Sequence, residues 1–179
     1  GVTVRAGDYA PGELEAAIPA LSRAARTTPQ QTTKRVLQRA LVSLGHEPTI
    51  EELITQLREA PPNDRLPIAT ILAEAGAKAR PALVTALADP QVHTRLAAAA
   101  ALAIQGNVRG SKMLRELLTS DNAFSRSEAA HALALAGDPR ALHVLRESID
   151  RGASRDSRTI RSIGLIGGEA EQSLLRNIY

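Results

Sequence analysis

Five glycines constrain what this chain can become. Gly45, Gly76, Gly106, Gly137 and Gly167 follow one another at intervals of 31, 30, 31 and 30 residues. Apolar columns keep step with them. Leu41, Leu72, Leu102, Leu133 and Ile163 stand four residues before the glycines, and Leu53, Val84, Leu114, Leu145 and Leu175 stand eight after. The residues eight before, Leu37, Ile68, Ala98, Ala129 and Thr159, fall on the same helical stripe as those four before. A period of this size marks the repetition of one supersecondary unit. Each unit reads as helix, glycine turn, second helix and loop. A pair of short helices cannot bury its own apolar face, so the pairs must stack into a continuous core. The expected fold is all-α: a right-handed α-solenoid, or α-α superhelix, with about eleven helices.

The stretch Arg95 to Gly106, RLAAAAALAIQG, predicts a helix packed so closely that only Ala fits along much of its face. Asp89 is the expected N-cap of this helix, with Pro90 at its first position and Gly106 closing it at positive φ. Capping boxes are expected at Thr28-Pro29-Gln30-Gln31, at Thr49-Ile50-Glu51-Glu52 and from Ser125 to Glu128. Asp138-Pro139 predicts another helix start, and Pro61-Pro62-Asn63-Asp64 a loop between units. Leu14, Ala17, Ile18, Leu21 and Ala25 form an amphipathic stripe that predicts a lone helix over 12–26, covering the open end of the stack. The expected organisation is a loose tail over 1–11 and a single domain over 12–179, with units near 30–62, 63–89, 90–121, 122–152 and 153–179.

Composition agrees with this reading. Aromatic residues make up only 2% of the 179, so the core must be built from Leu, Ile, Val and Ala, which favours closely packed helices over a sheet. The net charge of +3 comes from 22 basic and 19 acidic residues, an excess too small and too mixed to imply a nucleic-acid partner alone. There is no Cys, which excludes disulfides and thiolate metal sites. No apolar run reaches the roughly 18 residues of a membrane span, and a cytoplasmic location is expected.

The units DPQVHTRLAAAAALAIQG and SRSEAAHALALAGDPRALHVLRESI resemble HEAT-like repeats, of the short kind found in phycobilisome-lyase-related proteins. The resemblance covers about residues 30 to 179 and rests on a basic residue, an Ala-rich helix, Leu, and Gly-Asp-Pro-Arg-Ala. Tetratricopeptide and ankyrin repeats fit worse, because their aromatic positions and Thr-Pro-Leu-His are missing. The fifth unit departs from the pattern at Gly164 and the Gly167-Gly168 pair. The resemblance implies five helix pairs, with the second helices lining a concave surface.

Two basic columns share the glycine register. Lys34, Arg65, Arg95 and Arg126 stand eleven residues before the glycines, with Asp64, Asp89 and Asp121 close ahead of three of them. They form either a basic stripe or, as HEAT-like repeats commonly do, a ladder of Asp and Arg between neighbouring units. Arg115, Arg146 and Arg176 stand nine after, where Ile54 and Thr85 occupy the first two units. Lys112 and His143 share that flank, and Arg109 and Arg140 lie further round. With Glu116 and Glu147 beside it, this column is either a solvated face or a recognition surface for an acidic segment or a phosphate-bearing ligand. Arg151, Arg155, Arg158 and Arg161 form a further cluster among Asp150 and Asp156.

Catalytic constellations are not found. The four histidines show no zinc spacing and no HExxH, and only His46-Glu47 makes a His-Glu pair, whereas HEAT-like deoxyhypusine hydroxylases need several. There is no phosphate-binding glycine loop and no accompanying nucleophile. The expectation is a protein without catalytic, cofactor or metal sites: a non-enzymatic protein–protein interaction scaffold presenting a concave groove to an acidic or extended partner segment. Arg109, Lys112, Arg115, Arg140, His143, Arg146 and Arg176 are the candidate partner-binding residues. The alternatives are binding of nucleic acid or another polyanion through the arginine column, and a phycobilin-lyase-like subunit or chaperone. The last rests on fold resemblance alone, with few aromatics and no Cys to handle a chromophore.

Overall fold

A computed structural model describes residues 11–150 and 157–168. Among them are ten α-helices and no strand: α1 Pro11–Thr27, α2 Gln31–Ser43, α3 Glu47–Glu59, α4 Pro62–Glu74, α5 Arg80–Ala86, α6 Val92–Ile104, α7 Val108–Leu117, α8 Ala123–Leu135, α9 Leu142–Asp150 and α10 Ser157–Ile166. A short 3-10 turn, Pro139–Ala141, leads into α9. Three units pair as expected, α2 with α3, α6 with α7 and α8 with α9, while α5 of the second unit packs against α6 and α3 rather than chiefly against α4, and α10 opens the fifth unit. The pairs stack as an α-solenoid, with α1 packed against α2 at one end. The tail and the fifth unit's second helix, with Leu175 and Arg176, lie outside the described residues.

The glycine register holds where the turns need it. Gly45, Gly76, Gly106 and Gly137 all take positive φ, between 56° and 75°. At Gly106 the N–H donates to Ala103 O at 2.9 Å, and the next N–H, of Asn107, reaches back to Leu102 O at 2.9 Å. This pair of bonds closes the last turn of α6 and redirects the chain, and it recurs at Gly45 and Gly137. At Gly167 the N–H donates to Ile163 O at 2.7 Å, four residues back rather than three.

The helix starts depart from expectation. Asp89 does not cap α6, which begins at Val92 behind Gln91. The Asp89 carboxylate instead receives the Gln91 N–H at 2.9 Å and the Arg58 guanidinium at 2.9 Å, which holds Asp89 and Pro90 in a turn ahead of the helix. The capping boxes give way likewise. Gln30 precedes α2 without a side-chain cap bond. His46-Glu47-Pro48 starts α3, so Thr49 lies inside that helix. Asn122 caps α8 through the Ser125 N–H at 3.1 Å. The expected loop at Pro61 to Asp64 is already helical from Pro62, where a missing N–H costs no bond. Asp138 does receive the Arg140 N–H, at 3.0 Å.

The core follows the apolar columns. Leu41, Leu72, Leu102, Leu133 and Ile163 are fully buried, as are Leu53, Leu114 and Leu145. Helix α6 is buried on every side, with Ala98, Ala99, Ala100 and Ala101 wholly inaccessible. Small side chains let the first helices α2, α4, α6, α8 and α10 pack into a tight row, each against the next. The second helices pack chiefly against that row, and no comparable packing joins α5 to α7 or α7 to α9. A stack that is tight on one side and splayed on the other curves toward the tight side.

Candidate interaction groove

The curvature encloses a groove of about 610 Å3 on the first-helix side. Its walls are α2, with Arg35, Val36 and Arg39, and α10, with Ser157, Arg158, Arg161, Ser162 and Leu165. Leu66, Pro67, Thr70 and Ile71 of α4 and His131 and Leu135 of α8 form its floor. Walls four units apart come within one groove because the inner face of α6 is Ala, buried beneath its neighbours. The expectation that second helices line the concave surface is therefore corrected. Packing distance decides the direction of bending, and the Ala-rich helices are the first of each pair.

Four guanidiniums stand in the groove, and no carboxylate is among its described lining residues. Arg35 pairs with Asp64, and Arg39 pairs with Glu74 through two bonds, one of them Nε to Oε2 at 2.6 Å. Both pairs tie α2 to α4. Hydrogen bonding to Glu74, with its charge, raises the Arg39 pKa above the ordinary arginine value against a small opposing effect of burial. Arg158 donates from Nη1 to Glu128 Oε1 at 2.6 Å, tying α10 to α8. Arg161 is exposed and has no ion pair among the described residues. His131 is buried on the floor, its Nδ1 2.8 Å from Ser162 Oγ. Val36, Leu135 and Leu165 are exposed apolar side chains here, Val36 at 66% and Leu165 at 54%.

A sequence signal for this site existed. Six residues before the glycines stand Arg39, Thr70, Ala100, His131 and Arg161. All but the buried Ala100 line the groove. The column mixes residue types, so it does not stand out as a column of like residues would.

The residues expected to bind a partner lie elsewhere. Arg109, Lys112 and Arg115 are on α7, Arg140 on the 3-10 turn, and His143 and Arg146 on α9, all exposed on the second-helix layer. Arg176 is outside the described residues. Arg140, His143 and Arg146 do come together in a shallow recess with Glu147 and Asp150, so that surface is mixed in charge. Arg115 is engaged by the neighbouring unit, its Nε 2.6 Å from the buried Asp138 Oδ2, with Arg140 Nη1 3.6 Å from the same oxygen. Burial alone would raise the Asp138 pKa. The Arg140 N–H, the Arg115 hydrogen bond and both guanidinium charges together outweigh it and hold the carboxyl below its usual value. Asp89 is lowered too, first by the Gln91 N–H and then by Arg58.

The other basic column is corrected in its partners. Lys34 lies 3.8 Å from Glu52 of its own unit. Arg95 donates to the Asp89 and Pro90 carbonyls at 2.8 and 2.9 Å, and Arg126 to those of Ser120 and Asp121. These arginines clamp the loop behind their own helix, while Asp64, Asp89 and Asp138 pair with Arg35, Arg58 and Arg115. Arg158 and Arg161 of the third cluster reach the groove; Arg151 and Arg155 lie outside the described residues.

A family model described as HEAT repeats matches residues 50–126, from within α3 to the start of α8. Over that segment the chain is similar to HEAT repeats. The matched HEAT-like segment contains the whole of α4 to α7, and hence the tight Ala-rich centre of the stack. The match is to HEAT repeats as a class and does not single out the phycobilisome-lyase type. No curated protein matches the chain. No helix among the described residues is long and apolar enough to cross a membrane.

Proposed function

We propose that this chain is a non-enzymatic scaffold whose first-helix groove holds an apolar segment of another protein, flanked by acidic residues. HEAT repeats generally mediate interactions between proteins, and the groove is the surface best suited to one here. The observation that carries the reading is a largely apolar floor ringed by four guanidiniums, with no carboxylate among the described lining residues. The carboxylates that pair with three of them, Asp64, Glu74 and Glu128, do not line the groove, so each arginine keeps donors for a guest. Arginine grips a carboxylate with two parallel hydrogen bonds, and exposed apolar residues rimmed by polar ones favour association.

Affinity capture with the unmodified chain and with Arg161→Glu tests this, with partners identified by mass spectrometry. The partner should be lost with Arg161→Glu and retained with Arg109→Ala/Lys112→Ala on α7. Retention by the groove variant and loss by the α7 variant would return the site to the second-helix layer. Binding of nucleic acid through the same arginines is the rival outcome. It would weaken steeply and log-linearly with salt, since it is driven by counterion release.

A further inference from the structure

The polar chemistry of the groove is one-sided. Arg35, Arg39, Arg158 and Arg161 offer donors, and among the described residues no Asp, Glu, Asn or Gln lines the cavity to accept. The side-chain acceptors in the described lining are the hydroxyls of Thr70, Ser157 and Ser162 and the His131 ring. The Thr70 hydroxyl donates to Leu66 O at 2.9 Å, and the Ser162 hydroxyl is engaged with His131 at 2.8 Å. The wall and floor helices use their own backbone carbonyls internally. An extended guest would carry a row of backbone N–H groups into this groove and find, among the described residues, a few scattered side-chain acceptors and no carboxylate or side-chain amide to receive them. Unpaired buried N–H groups oppose binding strongly. A helical guest has no such difficulty, because its N–H groups are already bonded to its own carbonyls.

The room available fits the same guest. A cavity of about 150 Å3 is what one large apolar side chain leaves when removed from a core. The 610 Å3 here therefore accommodates about four such side chains, the stripe a helix presents at i, i+3 or i+4, i+7 and i+11. The charges fit as well. Arg39 and Arg161 occupy the same register on opposite walls, so acidic residues on both flanks of one apolar stripe would each meet a guanidinium.

We infer that the guest is a single amphipathic α-helix of a partner protein, its apolar stripe on Leu66, Ile71 and Leu135 and its Asp or Glu flanks toward Arg39 and Arg161. This rests on the groove reading above and adds the conformation of the partner to it. The test is selection of a random 16-residue peptide library displayed on phage, first against the unmodified chain and then against Val36→Glu/Leu165→Glu. Both residues are exposed, and circular dichroism checks the fold of the double variant; Arg161→Glu serves in its place if that fold is lost. Peptides that depend on the groove should carry apolar residues at i, i+3 or i+4 and i+7 with acidic flanks. They should gain helical signal on binding and lose affinity at least tenfold when Pro is placed at their centre. Groove-dependent peptides that alternate apolar and polar residues, tolerate a central Pro or carry basic flanks overturn the helix inference and leave the groove reading standing. Peptides that bind with no dependence on any groove variant overturn both.

Discussion

Replacing Gly110 by Ala sets helix propensity against packing, and the structure says which wins. Gly110 lies in the first turn of α7, where it crosses α6. A Cβ built there would sit 2.6 Å from Leu102 Cβ, 2.7 Å from Ala99 O and 2.9 Å from Ala103 N. Non-bonded carbon atoms rest at about 3.5–4.0 Å, so the shortfall against Leu102 is roughly 1 Å. Rotating a side chain cannot relieve it, because two of the three obstacles are α6 backbone and the third is a Cβ. Helix α7 must move away from the centre of the core. Overpacking of this kind costs about 1–3 kcal/mol, against a helix-propensity gain of at most about 1 kcal/mol. The net expectation is a loss of about 1–2 kcal/mol. Gly164 in α10 is the control: a Cβ there meets nothing within 4 Å and its φ is not positive, so the same substitution should stabilise by up to about 1 kcal/mol. Urea unfolding followed by far-ultraviolet circular dichroism reads both, with the slope checked for constancy. If Gly110→Ala raised the midpoint as Gly164→Ala does, α6 and α7 would not be in the close contact described.

Three further perturbations follow from the same structure. Leu102→Ala, at a fully buried site in the central unit, should cost about 2–5 kcal/mol in the same assay, and a loss below 1 kcal/mol would place Leu102 outside the core. Gln105→Ala removes the amide whose Nε2 reaches Gly76 O at 3.0 Å and Ala73 O at 3.2 Å, uncovering the carbonyl end of α4 in the preceding unit. It should cost about 1 kcal/mol by the same measurement. Asp89 and Asp138 have folded pKa values below the ordinary carboxylate value, so the stability they contribute is present above about pH 4 and lost as pH falls through their depressed values. The midpoint should hold between about pH 7 and pH 5 and decline in acid, and Asp138→Asn should lower the plateau while flattening that decline; an unchanged acid limb would refute the assignment.

The sequence by itself determined the repeat, the helix pairs and the residues of the core. These depend on local chemistry: only glycine turns freely at the φ of +73° found at Gly106, and leucine four residues earlier must lie on the buried stripe of the same helix. It also made the inner helices recognisable as Ala-rich. Helix starts were less legible, because tertiary partners compete for the capping side chains. Asp89 has the chemistry of an N-cap, but Arg58, 31 residues earlier in the chain, shares its carboxylate and the helix begins two residues later than a cap there would allow. Only the tertiary structure decided which face is concave. Curvature is the difference between two sets of packing distances, one along the first helices and one along the second, and no single residue carries that difference. The recurring arginines nine after the glycines were therefore visible but lie on the splayed layer. Arg39 and Arg161, 122 residues apart in the chain, became opposite walls of one groove only once the stack had bent.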